Sequence, residues 1–277
     1  MIIHLDRDMT AIQLSPAPTD TGLLLVEHDR GVVTLTLNRP EQYNALSAAL
    51  IAELQTAVAA LADNDSVRVV IIAGAGKAFC AGHDLKEIRS HADPDFERGV
   101  FERCRRFMTA LTRLPQPVIA RVHGTAFAAG CQLVAQCDLA VASTEARFAT
   151  SGVNFGVFCS TPGVPLARNV SRKRAMEMLL TGEPIDAGTA LAYGLVNRAV
   201  TPDRLDAEVQ GLVKSILAKS PAVVAAGKKT FYEQIDENLT QAYRVATTAM
   251  VDNLKSEDGK EGIAAFVEKR KPKWKGK

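Results

Sequence analysis

The sequence predicts a mixed α/β core followed by a helical C-terminal region, and three observations carry that prediction. Short β-branched runs alternate with helix-period segments over roughly the first two thirds of the chain. After Ser171 the helix-period segments dominate. Two of the β-branched runs, one at Val67 to Ala73 and one at Val118 to Val122, lead into loops of small residues and then a helix start. That order is the one a layered α/β fold produces.

Residues 1–21 mix acids, prolines and serine, and are expected to form a flexible extension. Order is expected from Gly22. Leu23 to Glu27 is a short apolar run, Asp29-Arg30-Gly31 is a turn signal, and Val33, Leu35 and Leu37 alternate with Thr34 and Thr36. Together they predict a β-hairpin, ended by Asn38-Arg39-Pro40. From Ser47 to Ala62, Leu50, Ile51, Leu54, Val58 and Leu61 fall on one helical stripe. The run from Val67 reads as a strand buried on both faces. A Gly-rich stretch follows, then a polar segment from Arg89 to Glu97. Phe101 to Leu114 is predicted helical, broken by Pro115 and Pro117. Val118 to Val122 is a second buried strand, Gly130 to Cys137 a helix and Leu139 to Ala142 a strand. Later helices are predicted at Lys173 to Leu180, Ala187 to Tyr193, Leu205 to Ala218, Val223 to Glu237, Leu239 to Leu254 and Gly262 to Lys271. The expected division is a core over 22–200 and a helical region over 201–277. The helical region has generous apolar faces, which suit burial against another subunit or against the core.

Composition excludes several classes. A net charge of +2 gives no global drive towards nucleic acid or membrane. No apolar run approaches the roughly 20 residues that span a bilayer. The N-terminus lacks the basic start and apolar stretch of a secretory signal. A cytoplasmic location is expected, with an organelle matrix as the alternative. Cys80, Cys104, Cys131, Cys137 and Cys159 form no C-x-x-C pair and no zinc spacing, so no metal site is expected and the thiols read as reduced core residues.

The two Gly-rich strand exits are the chemical signal. One lies within Val69 to Ile88 and the other within Val118 to Asp138. A helix start presents unpaired N–H groups and the positive end of the macrodipole. Small residues let a ligand approach that backbone closely. Such a pair suits a phosphate or a developing oxyanion. Gly74-Ala75-Gly76 has Phe79 where a dinucleotide fingerprint needs its third glycine, and neither loop has a Walker pattern. An anion or oxyanion site of another kind remains.

The string Lys77-Ala78-Phe79-Cys80-Ala81-Gly82-His83-Asp84-Leu85 is similar to the A-F-x-A-G-x-D-L/I signature of the crotonase (enoyl-CoA hydratase/isomerase) superfamily. His123-Gly124 through Cys131 is similar to its N-G-x-A-x-G-G-G-C segment. Asn38-Arg39-Pro40 with Asn44-Ala45-Leu46 matches N-R-P-x-x-x-N-A-L. Pro162-Gly163, Thr181-Gly182, Tyr193-Gly194-Leu195-Val196 and the stretch from Glu261 to Lys271 match later landmarks in the family's order.

That resemblance implies a crotonase-like spiral of ββα units with a C-terminal helical oligomerisation region, assembling trimers or hexamers. It implies an acyl-CoA substrate, with coenzyme A entering as part of that substrate and no permanently bound cofactor. By position, the N–H groups of His83 and Ala129 would hold the thioester oxygen. Losing one such donor costs about 3 kcal/mol of transition-state stabilisation. Ala129 replaces a glycine, at a cost of roughly 1 kcal/mol if that site needs positive φ. A hydratase of this family carries two glutamates, and Gln132 and Gly152 stand at those positions. Without a carboxylate, ordinary acid–base hydration has no proton carrier. Restoring both glutamates would test whether the geometry carries over.

Around the thioester, Ala45, Ala81 and Leu85 are candidate substrate-binding positions, and Asp84 is another while also suiting a helix cap. Ser151 and Asn154, close to the missing second glutamate, either hold water or a substrate hydroxyl or make loop hydrogen bonds only. Arg39 and Lys86 are candidate CoA phosphate partners. Phe266 and Lys269 match residues that close over the adenine and phosphate, sometimes from a neighbouring subunit. The segment from Arg89 to Arg98 is expected to help shape the acyl pocket and to be mobile. The His83 side chain either faces the pocket as an acid or base or contributes its backbone alone. Cys159 reads as a structural thiol, His123 as a hydrogen-bonded structural residue. The basic end, Lys269 to Lys277, reads as a solvated tail, and nucleic acid is not expected as a partner. Two functions are carried forward: an acyl-CoA enzyme with altered catalytic residues, and a catalytically silent acyl-CoA binder or assembly partner.

Overall fold

The structure is a computed structural model that describes residues 22–91 and 93–277; the expected extension over 1–21 lies outside the described residues. Leu24–Asp29 (β1) and Val32–Leu37 (β2) form the predicted hairpin, with Leu24 opposite Leu37 and Asp29 opposite Val32. Arg30 (φ 42°) and Gly31 (φ 82°) are both left-handed, the turn geometry that matches strand twist. Val69–Gly74 (β3), Val118–Val122 (β5), Leu139–Ser143 (β7) and Arg198–Val200 (β10) extend this sheet in parallel, in the order β1-β2-β3-β5-β7-β10.

A second sheet contains Ala78–Cys80 (β4), Thr125–Phe127 (β6), Arg147–Ala149 (β8) and Ile185–Asp186 (β9), in the order β4-β6-β8-β9. The chain therefore gives one strand to each sheet per turn: β3 then β4, β5 then β6, β7 then β8. Helices complete each turn. Leu85–His91 (α2) and Pro94–Arg113 (α3) follow β4, Ala129–Gln136 (α4) follows β6, and Ser160–Asn169 (α5) and Arg172–Thr181 (α6) follow β8. This is the ββα spiral that the resemblance implied. Ala48–Ala62 (α1) precedes β3, and Ala187–Tyr193 (α7) precedes β10. Leu205–Leu217 (α8), Pro221–Gln234 (α9), Leu239–Lys255 (α10) and Glu257–Val267 (α11) end the chain.

The two buried strand runs divide their side chains between two cores. Val70, Ile72, Val118 and Ala120 join the main core with α1, α3 and α4. Val69, Ile71, Ile119 and Val141 face Leu205, Val209 and Val213 of α8. Coverage on both faces is why these strands read as continuous apolar runs rather than alternating ones.

One expectation is corrected. The polar segment from Arg89 to Glu97 is largely helical: Asp93 caps α3, accepting from the N–H groups of Asp95 and Phe96, with Pro94 in the first turn. The first turn of α3 is largely exposed, so apolar periodicity does not reveal it. The basic tail is solvated as expected, with its Lys and Arg side chains exposed, and its backbone is pinned. The carboxylate of Asp258, 1% exposed, accepts from Ser220 Oγ and from the N–H groups of Lys275 and Gly276 at 2.6, 2.6 and 2.9 Å. Trp274 Nε1 donates to the Ala218 carbonyl at 2.9 Å.

Candidate functional site

The site is built from the loop that ends the hairpin. Asn44, fully buried and left-handed (φ 55°), accepts from the Arg39 N–H and donates to the carbonyls of Ala75 and Ala78. This ties the loop to the turn between β3 and β4. Residues 43–46 then run beside 81–84. Ala81 N–H donates to the Tyr43 carbonyl, Leu46 N–H to the Gly82 carbonyl and Asp84 N–H to the Leu46 carbonyl, at 3.0, 2.8 and 3.1 Å. Extended backbone alternates the direction of its N–H groups, so this ladder skips His83. The His83 N–H makes no backbone hydrogen bond among the described residues.

Arg39 is a correction. Its guanidinium donates to Asp84 Oδ2 at 2.8 Å and to the Ala45 carbonyl, with its side chain only 15% exposed. It braces the first strand exit and is not free for a CoA phosphate. Asp84 also accepts from the N–H groups of Lys86 and Glu87, capping α2. Burial pushes the Asp84 carboxyl up, but Arg39 and those two N–H groups outweigh it and hold it below the usual range.

The second exit leaves β6, which pairs with β4, so the two exits lie side by side. Gly130 makes that approach possible: a Cβ there would fall 2.0 Å from the Cys80 carbonyl oxygen. A Cβ on Gly82 would lie 3.3 Å from the Ala129 nitrogen. Positive φ falls on Ala128 (φ 47°, ψ −114°), whose N–H donates to the Ala149 carbonyl at 2.8 Å. The strain expected at Ala129 thus sits one residue earlier. Such a conformation costs on the order of 1–3 kcal/mol for a residue with a Cβ. Ala129 is the first residue of α4, where an N–H has no intrahelical partner, and it makes no other backbone bond among the described residues.

A cavity of about 340 Å³ opens beside these two exits, lined by Ala81, His83, Leu85, Ala129, Ser151 and Gly152 among the expected residues. Phe101, Phe155, Val157 and Phe158 supply much of its apolar wall and were not expected from sequence. The available signal was the apolar cluster around Gly156, in a loop where a soluble protein would place polar residues. Asn154 does not line the cavity; its amide donates to the Gly182 carbonyl at 3.4 Å, the loop-bracing role. Gln132 is 5% exposed, also off the cavity wall, and its Oε1 has no partner among the described residues. Lys86 is exposed on α2 and forms no ion pair among the described residues. Phe266, 85% exposed, and Lys269 lie at the end of α11, and neither lines the cavity of its own chain.

Gly152 is more than a missing side chain. A Cβ there would lie 2.2 Å from the Val157 carbonyl oxygen and 2.9 Å from Cys159 Sγ. The Val157 N–H donates to the Gly152 carbonyl and the Gly152 N–H to Cys159 Sγ, at 3.0 and 3.3 Å. Backbone therefore fills the space a side chain would take. Burial pushes the Cys159 thiol up, against the opposing Gly152 N–H, so it stays protonated. His123 Nε2 lies 2.9 Å from the Gly76 carbonyl oxygen, the structural role expected for it. Burial lowers the His83 imidazole to about 4, leaving it neutral at physiological pH.

The spiral of paired strands with two facing strand exits defines a crotonase-like α/β fold. The family model described as Enoyl-CoA hydratase/isomerase matches residues 27–277, so the chain belongs to that family, within the crotonase superfamily. It is 48% identical over 254 residues to the Xenopus laevis protein named enoyl-CoA hydratase domain-containing protein 3, mitochondrial, covering 92% of this chain and 86% of that one. A crystal structure of an enoyl-CoA hydratase from Mycobacterium smegmatis is 56% identical, covers 91% of this chain and 99% of its own, and superposes with a TM-score of 0.90. The structure of human enoyl-CoA hydratase domain-containing protein 3 is 46% identical, covers 91% and 100%, and gives 0.89.

Proposed function

We propose that this chain binds an acyl-CoA thioester in the cavity beside α4, with the carbonyl oxygen between the N–H groups of His83 and Ala129. The observation that carries this reading is the pair of uncommitted N–H groups at adjacent strand exits, beside a largely apolar cavity. Family membership supports a lyase- or isomerase-like enzyme acting on an acyl-CoA. Two observations count against two-glutamate hydration: Gln132 is off the cavity, and Gly152 is covered by Val157. That same covering favours the second reading, an acyl-CoA binder without turnover. Lys86 remains the candidate for a CoA phosphate. Phe266 and Lys269 do not line the cavity of their own chain, and in a trimer or hexamer they would close over the nucleotide of a neighbouring copy. The names of the vertebrate relatives say mitochondrial, which favours the organelle matrix that the sequence left as the alternative.

The test is thermal-shift and calorimetric titration with octanoyl-CoA, free CoA and S-octyl-CoA, a thioether with a methylene in place of the carbonyl. A ligand that binds only the folded state raises its stability. Two hydrogen bonds of about 1 kcal/mol each predict that the thioether binds roughly 30-fold more weakly than the thioester. Equal affinity would remove the two N–H groups from the reading, and no response to any of the three would remove CoA.

A further inference from the structure

We propose that the His83 side chain is the proton-transfer group of this site, moving a proton at the carbon next to the thioester carbonyl. The inference rests on the acyl-CoA reading above and goes beyond it by supplying the acid–base group that the two absent glutamates leave open.

The cavity wall makes the assignment by elimination. Only two titratable side chains line the cavity among the described residues, His83 and Cys159. The Cys159 thiol accepts the Gly152 N–H and is held protonated by its burial. Ser151, Ser160 and Thr161 carry hydroxyls that do not titrate near neutrality. The imidazole remains. It sits on the same residue whose N–H is offered to the carbonyl oxygen, so its reach is to atoms adjoining that carbonyl. Its ring stands edge-to-face against Phe101 with centroids 4.8 Å apart, which fixes its orientation on the cavity wall. Neither ring nitrogen has a hydrogen-bond partner among the described residues, and Nε2 is sealed from solvent. A buried polar atom left unpaired is uncommon and calls for an explanation. In the tautomer that carries the proton on Nε2, the one this step requires, Nδ1 is the free acceptor.

Electrostatics permit the step. The groups around the ring are uncharged: α3 presents Phe101, the start of α4 presents Ala129, and the segment before α5 presents Cys159. Asp84, next in sequence, turns its carboxylate to Arg39. Burial alone is what lowers the imidazole, so the base is neutral throughout the physiological range, and weaker than a free imidazole until charge develops beside it. In the step, the Cα–H bond breaks and the proton passes to Nδ1. The electron pair forms a Cα=C bond and moves charge to the carbonyl oxygen, where the two N–H groups receive it. The new enolate favours the imidazolium beside it, as an opposite charge does. Reversal after proton exchange with water restores the acyl-CoA with solvent hydrogen at Cα. No oxidant, reductant or further reactant enters.

The experiment follows deuterium uptake at Cα of octanoyl-CoA in D2O by NMR, with a protein-free control. The wild-type chain is expected to catalyse the exchange. His83→Gln keeps the backbone N–H but removes the base, and is expected to lower exchange by about 10²-fold or more while octanoyl-CoA still binds. A variant that exchanges at the wild-type rate overturns the proposal. So does a wild-type chain that binds octanoyl-CoA without exchanging it, an outcome that leaves the binding reading standing; absence of binding overturns both. Should His83→Gln fail to fold, the wild-type pH profile decides. A base already deprotonated gives a rate flat from about pH 5.5 to about pH 8, above the protein-free control. A rate climbing across that range assigns the proton to another group and overturns the proposal.

Discussion

At the scale of single residues, the position that most constrains this protein's chemistry is Gly152. An alignment alone suggests that glutamate could be put back there and at Gln132, and that hydration would return. The backbone says otherwise. A Cβ at residue 152 would stand 2.2 Å from the Val157 carbonyl oxygen, an atom of main chain rather than the end of a flexible side chain. Accommodating it means moving the segment that carries Phe155, Val157 and Phe158, and with it the cavity wall. Gly152→Glu is therefore expected to destabilise the fold by about 2 kcal/mol or more, as overpacking does. The double variant with Gln132→Glu is expected to gain no crotonyl-CoA hydration. Urea unfolding and a hydration assay check both; full stability with measurable turnover would show that the segment from Val157 to Cys159 yields readily.

At the scale of elements, α9 is fastened to the core through Asp138, chiefly by a buried lysine ammonium. Lys228 Nζ donates to the carbonyls of Leu111 and Gln116 and to Asp138 Oδ2, at 2.8, 2.9 and 2.6 Å. Asp138 also accepts from the Val118 N–H and from the Tyr232 hydroxyl. One ammonium thus joins α9 to the end of α3 and to the start of β7. With the Lys228 side chain 7% exposed, Lys228→Met leaves a carboxylate and two carbonyls short of a donor. The expected cost is about 3–5 kcal/mol, the range for breaking a buried pair, read as a lowered urea midpoint. None of this was legible in the sequence, because Lys228 and Asp138 lie 90 positions apart and neither stands in a distinctive pattern. What the sequence did reveal depended on local regularity. β3 and β5 were readable as continuous apolar runs and α1 as a stripe. The second sheet was not, since strands of two or three residues are too short to show a period. Helix α5 was hidden by Pro162 and Pro165 within it. The His83 and Ala129 donors were readable through a motif, whereas the aromatic wall depended on how distant segments meet.

At the scale of the whole molecule, α9 and α10 bury no residue fully in a single chain. Leu239, Tyr243 and Met250 are 75%, 68% and 64% exposed, and Phe231 and Ile235 about half exposed. Helices with such faces are stable when tertiary or quaternary packing covers them. The lysine anchor explains how α9 stays on the core but covers little of this apolar surface. A neighbouring copy of the chain is the occupant consistent with the proposed assembly. The same assembly would resolve the position of Phe266, which is exposed on α11 and is no part of its own chain's cavity wall. Light scattering is expected to give a trimer or hexamer, and Tyr243→Glu with Met250→Glu to shift it towards monomer, because charges buried in such a contact are expensive. If Phe266 and Lys269 close over the nucleotide of a neighbouring site, the monomerised variant also loses affinity for octanoyl-CoA, although both substituted residues lie off the cavity. A wild-type chain that runs as a monomer at micromolar concentration would refute the assembly and leave Lys86 as the candidate nucleotide contact.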